Sequence, residues 1–318
     1  MKPSSVISLI VAVVIIVIGL VTCFVAQNMA KTNGELLFSE EADGGQIKTV
    51  DLSDSSISKI QLIVSNAEIN IKGNSTHPYI EFLNFRESFY NLTTSSHALS
   101  FDEIPDIASM FKFWENGFSF KGMRFLLLNF KKENPDTQKI INIYLNDDSP
   151  VKVFDIKADS CKVSINDMST SSDYKFNVSE ADIEIKALKT SSSLLINADQ
   201  NSSFAKRVAL TLDTVYVNTL TVNSEELSID ADSFKCYSST EINCESGNID
   251  FDVVNSLDST ALSLETETGN ITVNGTLAEK TYIKNSDSAD KTFSINAKSA
   301  DIKLTSSSGE SGNTDKEN

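Results

Sequence analysis

Between residues 220 and 295 the apolar residues come in pairs two apart: Leu220/Val222, Leu227/Ile229, Ile242/Cys244 and Ile249/Phe251. Alternate residues of an extended chain point to one face, so each pair marks a short strand with a single buried side. Successive pairs start about seven residues apart, too close for helices between them. The pairs recur at a 22-residue step, as in Leu227, Ile249, Ile271 and Phe293, or Ile229, Phe251, Val273 and Ile295. A fixed period in this range is the mark of a solenoid. The expected fold is therefore all-β: a parallel β-solenoid whose coils of about 22 residues each hold three strands and three turns. Bends fall at Ser246–Gly247–Asn248 and Thr268–Gly269–Asn270, where Gly and Asn tolerate positive φ. A β-sandwich of evenly spaced strands is the alternative. It gives no reason for the 22-residue register, although the third series (Phe234/Cys236, then Leu257) keeps that register poorly.

Upstream the pattern changes four times. Residues 6–26 are uncharged and apolar, long enough at 1.5 Å per residue to cross a bilayer as one helix. They lack the small-x-small site of a cleaved signal peptide, so residues 1–30 are expected to be a retained transmembrane anchor. Lys2 and the amino terminus precede the helix and Lys31 follows it, which favours a cytoplasmic N-terminus and an extracytoplasmic domain. Residues 31–57 are polar and acidic and read as a tether. The solenoid domain is expected over 58–304, opening with strands in 59–72. It is interrupted by a Phe-rich insertion over 78–130, which holds more than half of the chain's 18 phenylalanines and its one tryptophan. Residues 305–318 contain no apolar side chain and are expected to be disordered.

The insertion has two readings. It packs its aromatics on the open end of the solenoid, which otherwise presents unpaired strand edges. Alternatively Phe111, Phe113, Trp114, Phe118 and Phe120 form a contact surface for a membrane or partner protein.

The chain carries 44 acidic against 27 basic residues, a net charge of −17. That argues against nucleic-acid binding, which needs clustered Lys and Arg. No zinc spacing, nucleophile elbow, phosphate-binding loop or dinucleotide fingerprint occurs, and the two histidines, His77 and His97, make no recognisable site. No enzyme activity, cofactor or metal is expected. Asp230/Asp232 and Asp250/Asp252 hold equivalent outward positions and could stack as an acidic ladder. Cys161, Cys236 and Cys244 share parity with apolar neighbours and should point into the core; a Cys236–Cys244 disulfide is the other option.

The signature Ser/Thr-Gly-Asn-Ile-x-apolar stands at 244–251 (CESGNIDF) and 266–273 (TETGNITV), with a degenerate copy at 297–304 (AKSADIKL). With the N-terminal apolar helix, it resembles the bacterial "putative adhesin" family of domains of unknown function. The resemblance covers about 58–304, with the Phe-rich stretch departing from it. It implies a β-solenoid-like surface domain and, because some relatives stand beside envelope-stress regulators, a regulatory role as the alternative. The reading is of a non-enzymatic, membrane-anchored module that binds an envelope protein or polymer. An accessory regulator of envelope-stress sensing and a self-assembling membrane-associated scaffold are the alternatives.

Overall fold

The computed structural model describes residues 46–53, 56–85, 90–95, 97–103, 139–146, 149–198, 206–254, 256–284 and 289–306. They form one sheet of fifteen strands. The strands are β1 (Gln46–Asp51), β2 (Lys59–Lys72), β3 (Tyr79–Phe85), β4 (Tyr90–Ser95), β5 (Ala98–Glu103), β6 (Ile140–Tyr144), β7 (Val153–Thr170) and β8 (Asp173–Thr190). They continue as β9 (Ser193–Ala198), β10 (Arg207–Val253), β11 (Thr260–Thr268), β12 (Ile271–Val273), β13 (Thr276–Ala278), β14 (Thr281–Lys284) and β15 (Lys291–Ser306).

The long strands are not straight ribbons. Between β7 and β8 the parallel ladder runs from Val153–Asp173 to Ala158–Val178, skips one residue, resumes at Ser160–Glu180, skips again after Asn166–Lys186 and resumes at Met168–Leu188. Each skip is a corner, so one coil has three faces. The second corner holds Asp167, Ala187, Thr214 and Ser233, all with φ between 53° and 56°. None is glycine, so this left-handed turn is imposed by the stack above and below it.

Coil-to-coil pairing is parallel through the body of the domain, which makes the fold a β-solenoid and sets aside the sandwich, whose sheets are antiparallel. Inward side chains stack in columns about 4.8 Å apart. On the first face one column runs Leu99, Ile60, Phe154, Tyr174, Leu194 and Leu220, then passes through Thr240 to Phe293 and Leu262. On the second face Ile141, Ile69, Val163, Ile183 and Leu210 stack in the same way. These side chains are buried, and a fully buried Ile or Leu contributes about 1.5–3 kcal/mol.

The coil advances by 20 residues, not 22. Val153 pairs with Asp173, and Asn243 reaches back to Asn223. The 22-residue spacing in the sequence has another cause. Ile249 and Ile271 both pair with Ile302, because β15 lies between β10 and the later strands β11 and β12. The same holds for Ile242 and Leu264, which flank Ile295. The 22-residue register is thus a true column where β15 intervenes, as for Ile249 with Ile271 and for Ile242 with Leu264. Leu227 stacks beside Gly247 and Leu220 beside Thr240, one inward position away from Ile249 and Ile242, and Phe293 belongs to a different face from Ile249.

The N-terminal end mirrors this. β2, first in sequence among the parallel strands, is sandwiched between β7 on one side and the later strands β5 and β6 on the other. Antiparallel strands then finish both ends: β4 on β5, β3 on β6 and β1 on β3 at one end, β14 on β11 and β13 on β12 at the other. At the N-terminal end Phe82 and Tyr90 stack on Phe101 with ring centroids 4.4 and 4.8 Å away. Part of the Phe-rich stretch thus packs on the open end of the solenoid. Residues 46–51, read from the sequence as tether, are strand β1, because their extended backbone completes the edge of β3.

Candidate functional site

Phe111, Phe113, Trp114, Phe118 and Phe120 lie outside the described residues, as do the expected helix at 6–26 and nearly all of the expected tail. Among the described residues no helix is long and apolar enough to cross a membrane. The point at which the insertion leaves and rejoins the solenoid is described. Of the insertion expected over 78–130, residues up to Glu103 include strands β3, β4 and β5 of the sheet, and the described chain resumes at Lys139, with both residues at the corner between the first and second faces. The two residues form an ion pair there, and the Ser65 backbone N–H and hydroxyl both donate to the Glu103 carboxylate, at 2.6 and 2.7 Å. Burial pushes the Glu103 carboxyl up, but the hydrogen bonds from Lys139 and Ser65 outweigh it and hold the group below the usual carboxylate range.

A concavity of about 1010 Å3 runs across the coils on the outer side of the first face. Its floor is a row of asparagines, Asn177, Asn197, Asn223, Asn243 and Asn296, one per coil at the same outward position. Asn223 Nδ2 donates to Asn197 Oδ1 at 2.8 Å, and Asn243 Nδ2 donates to Asn223 Oδ1 at 2.9 Å. A primary amide has two donors and an acceptor with two lone pairs. The ladder uses one N–H and one lone pair of Asn223, leaving its second N–H and lone pair for the groove. The rim carries Lys157, Lys175, Lys206 and Lys298, the last two paired with Glu225 and Glu245. Such a groove can hydrogen-bond an extended chain at repeated intervals.

The acidic ladder expected from the sequence is present on the second face: Asp230 and Asp250 hold one outward position, Asp232 and Asp252 the next. Lys303 of β15 sits one coil further on and bonds Asp250 at 2.7 Å. Its ammonium is pushed up by that carboxylate. Among the described residues no group of three His, Cys, Asp or Glu is placed to hold a metal ion. The stripe is a solvated face neutralised at one end.

Cys161, Cys236 and Cys244 are buried and none is in a disulfide. Burial pushes the Cys161 thiol up to about 12 and the Cys244 thiol to about 11, so neither supplies a thiolate near neutral pH. Cys236 Sγ donates to the Asn218 carbonyl at 3.1 Å. The core reading of the cysteines holds. The asparagine row was missed in the sequence because it falls on the polar parity of strands read only for their apolar one. Its members at 177, 197, 223 and 243 were nonetheless spaced by one coil, or by one coil plus a loop.

Solved structures offer several likenesses. A protein described as a "putative adhesin" from Bacteroides fragilis superposes with a TM-score of 0.43 at 13% identity, over 82% of this chain and 97% of that one. A "putative cell adhesion protein" from Clostridium sporogenes gives 0.25 at 12% identity, over 82% and 97%. A "putative lipid binding protein" from Parabacteroides distasonis gives 0.30 at 10% identity, over 83% and 96%. At such scores these likenesses carry no role over to this chain. No curated protein matches it. A family model does: Toastrack DUF4097 matches residues 114–316, which includes β6 to β15 and leaves β1 to β5 outside. The chain belongs to the Toastrack DUF4097 family, a domain of unknown function.

Proposed function

We propose that the chain is a non-enzymatic binding module of the cell envelope, held at the membrane by residues 6–26 with its solenoid outside, and that it grips an extended polymer along the first face. The observation that carries this reading is the asparagine-floored groove. Its donors and acceptors repeat at the coil spacing, a geometry matched to a chain with regularly placed hydroxyl or amide groups. The apolar stretch 6–26 supports the anchor.

The test has two parts. Protease added to intact cells, with a cytoplasmic control protein, should remove the domain; protection that persists after the wall is stripped places it inside and defeats the localisation. Full-length protein should sediment with isolated envelope material, and Asn223→Ala with Asn243→Ala should weaken that retention at least tenfold. Retention unchanged in the double variant would exclude the groove.

The Glu103–Lys139 staple favours a second reading, in which the insertion is presented to a membrane partner and the protein acts as an accessory regulator. Deleting residues 104–138 would then abolish partner capture while leaving envelope retention intact.

A further inference from the structure

The third face differs from the rest of this acidic molecule. Its strand segments are 168–172, 188–192, 215–218 and 234–238, and none contains Asp or Glu, in a chain with 44 acidic residues. Their outward positions instead carry Lys189, Ser191, Tyr216, Asn218, Lys235 and Tyr237. Lys189 and Tyr216 are direct partners on adjacent coils. Lys189 Nζ stands 5.7 Å from the Tyr216 ring centre, and Lys235 Nζ stands 5.9 Å from the same ring and 5.0 Å from Tyr237. Tyr216 is half-buried and Tyr237 is 47% exposed. A shallow hollow of about 410 Å3 opens beside them, bordered also by Thr190 and Ser191.

Two features separate this patch from an ordinary solvated face. Lys206, Lys284, Lys298 and Lys303 are each held by a carboxylate, whereas Lys189 and Lys235, like Lys157 and Lys175 at the groove, have none at ion-pair distance among the described residues. Their ammonium groups rest instead over aromatic rings, an attraction that an approaching anion easily exceeds at an exposed site. The rings are held on a rigid sheet, so once an anion draws the lysines off their faces they offer flat apolar surface at little entropic cost. Fixed aromatic faces beside unneutralised cations and a fringe of hydroxyl and amide groups match a ligand that is at once ring-bearing, hydroxylated and anionic.

We propose that the third face binds an acidic polysaccharide, with Tyr216 and Tyr237 stacking on sugar rings and Lys189 and Lys235 taking its carboxylates. The two lysines lie two coils apart, roughly 9–10 Å along the stack, a spacing that favours a chain spanning several sugars over a single small anion. This site is on a different face from the asparagine groove, and either can fail without the other.

The experiment is a titration of the full chain, held in phosphatidylcholine nanodiscs, with polygalacturonate, dextran, polyglutamate and phosphatidylglycerol vesicles, at low and moderate salt. The expected result is binding of polygalacturonate that weakens with salt and is at least tenfold tighter than that of dextran or of polyglutamate. Tyr216→Ala, and Lys189→Ala combined with Lys235→Ala, should each weaken polygalacturonate binding at least tenfold, while Thr211→Ala, exposed on the second face, leaves it unchanged. Tyr237→Ala, at an exposed ring, gives a second aromatic variant in case Tyr216→Ala lowers the unfolding midpoint. Equal affinity for polyglutamate with no effect of either tyrosine variant would reduce the patch to simple charge attraction and overturn the proposal. Preference for the vesicles over polygalacturonate would make the face a lipid surface instead, and absence of binding to any probe would equally overturn it.

Discussion

Thr240 occupies an inward position between Leu220 and Phe293 in the first-face column and is 1% exposed. Its hydroxyl is buried with no hydrogen-bond partner among the described residues. An unpaired buried hydroxyl costs about 1–3 kcal/mol, and valine has the same shape without it. Thr240→Val should therefore raise stability by about 1–2 kcal/mol, read from denaturant unfolding monitored by circular dichroism. Glu103 gives the pH counterpart. Its carboxyl titrates below its unfolded value, so its contribution is fully present above that value and is lost as pH falls through the lower folded one. At pH 7, Glu103→Gln should cost about 1 kcal/mol, and the difference from the parent should vanish in strong acid. A difference that persists unchanged in acid would mean the ion pair is not its source.

The strands show why the coils must approach so closely and where glycine is required. A Cβ on Gly247 would lie 1.8 Å from the Leu227 carbonyl oxygen of the coil below, and one on Gly73 would meet the Asp167 carbonyl at the same distance. Both obstacles are backbone atoms fixed in the stack. Gly247→Ala should cost at least about 3 kcal/mol, whereas Gly275→Ala, with open space around it but φ of +76°, should cost about 1 kcal/mol. Paired thermal melts of the two variants check this order. The Ser/Thr-Gly-Asn signature is thus a packing requirement at both glycines, since a Cβ on Gly269 would lie 2.1 Å from the Ala300 carbonyl oxygen, with a left-handed turn added at Gly269, whose φ is +115°. The bend expected at Ser246–Gly247–Asn248 falls at Glu245, where the ladder between β10 and β15 skips a residue, and Gly247 lies within the strand that follows. The sequence reading gave no sign of the corner at Asp167, Ala187, Thr214 and Ser233, because these residue types do not announce positive φ.

At the scale of the whole molecule, one-sided strands, three-faced coils and inward cysteines were legible because they rest on parity alone, which local sequence records. Stacking order was not, because it depends on which coil the chain returns to. Ile249, Ile271 and Ile302 read as consecutive repeats, yet the last is the middle of the three in space. The same return at β2 places an early strand inside the stack and leaves the ends to antiparallel strands. Those ends are finished but not hidden: Ile47 of β1 is 64% exposed, Leu277 of β13 is 68% exposed and Ile283 of β14 is 61% exposed. The functional surfaces were harder still to read, since the asparagine row and the tyrosine–lysine patch lie on the polar parity, where periodicity gives no warning.

The central claim is that β15 is threaded between β10 and β11, so that the solenoid ends on an earlier coil and not on its last one. Ser239, Thr292 and Ala261 point outward at one level, with Thr292 paired to each of the others. Cysteine pairs introduced there and oxidised without reductant, with linked peptides mapped by mass spectrometry, measure the order directly. Adjacent strands fall within disulfide reach and strands two coils apart do not. The account predicts rapid crosslinking of Ser239→Cys with Thr292→Cys and none of Ser239→Cys with Ala261→Cys. Crosslinking of the second pair in place of the first would restore the simple 22-residue stack and contradict it.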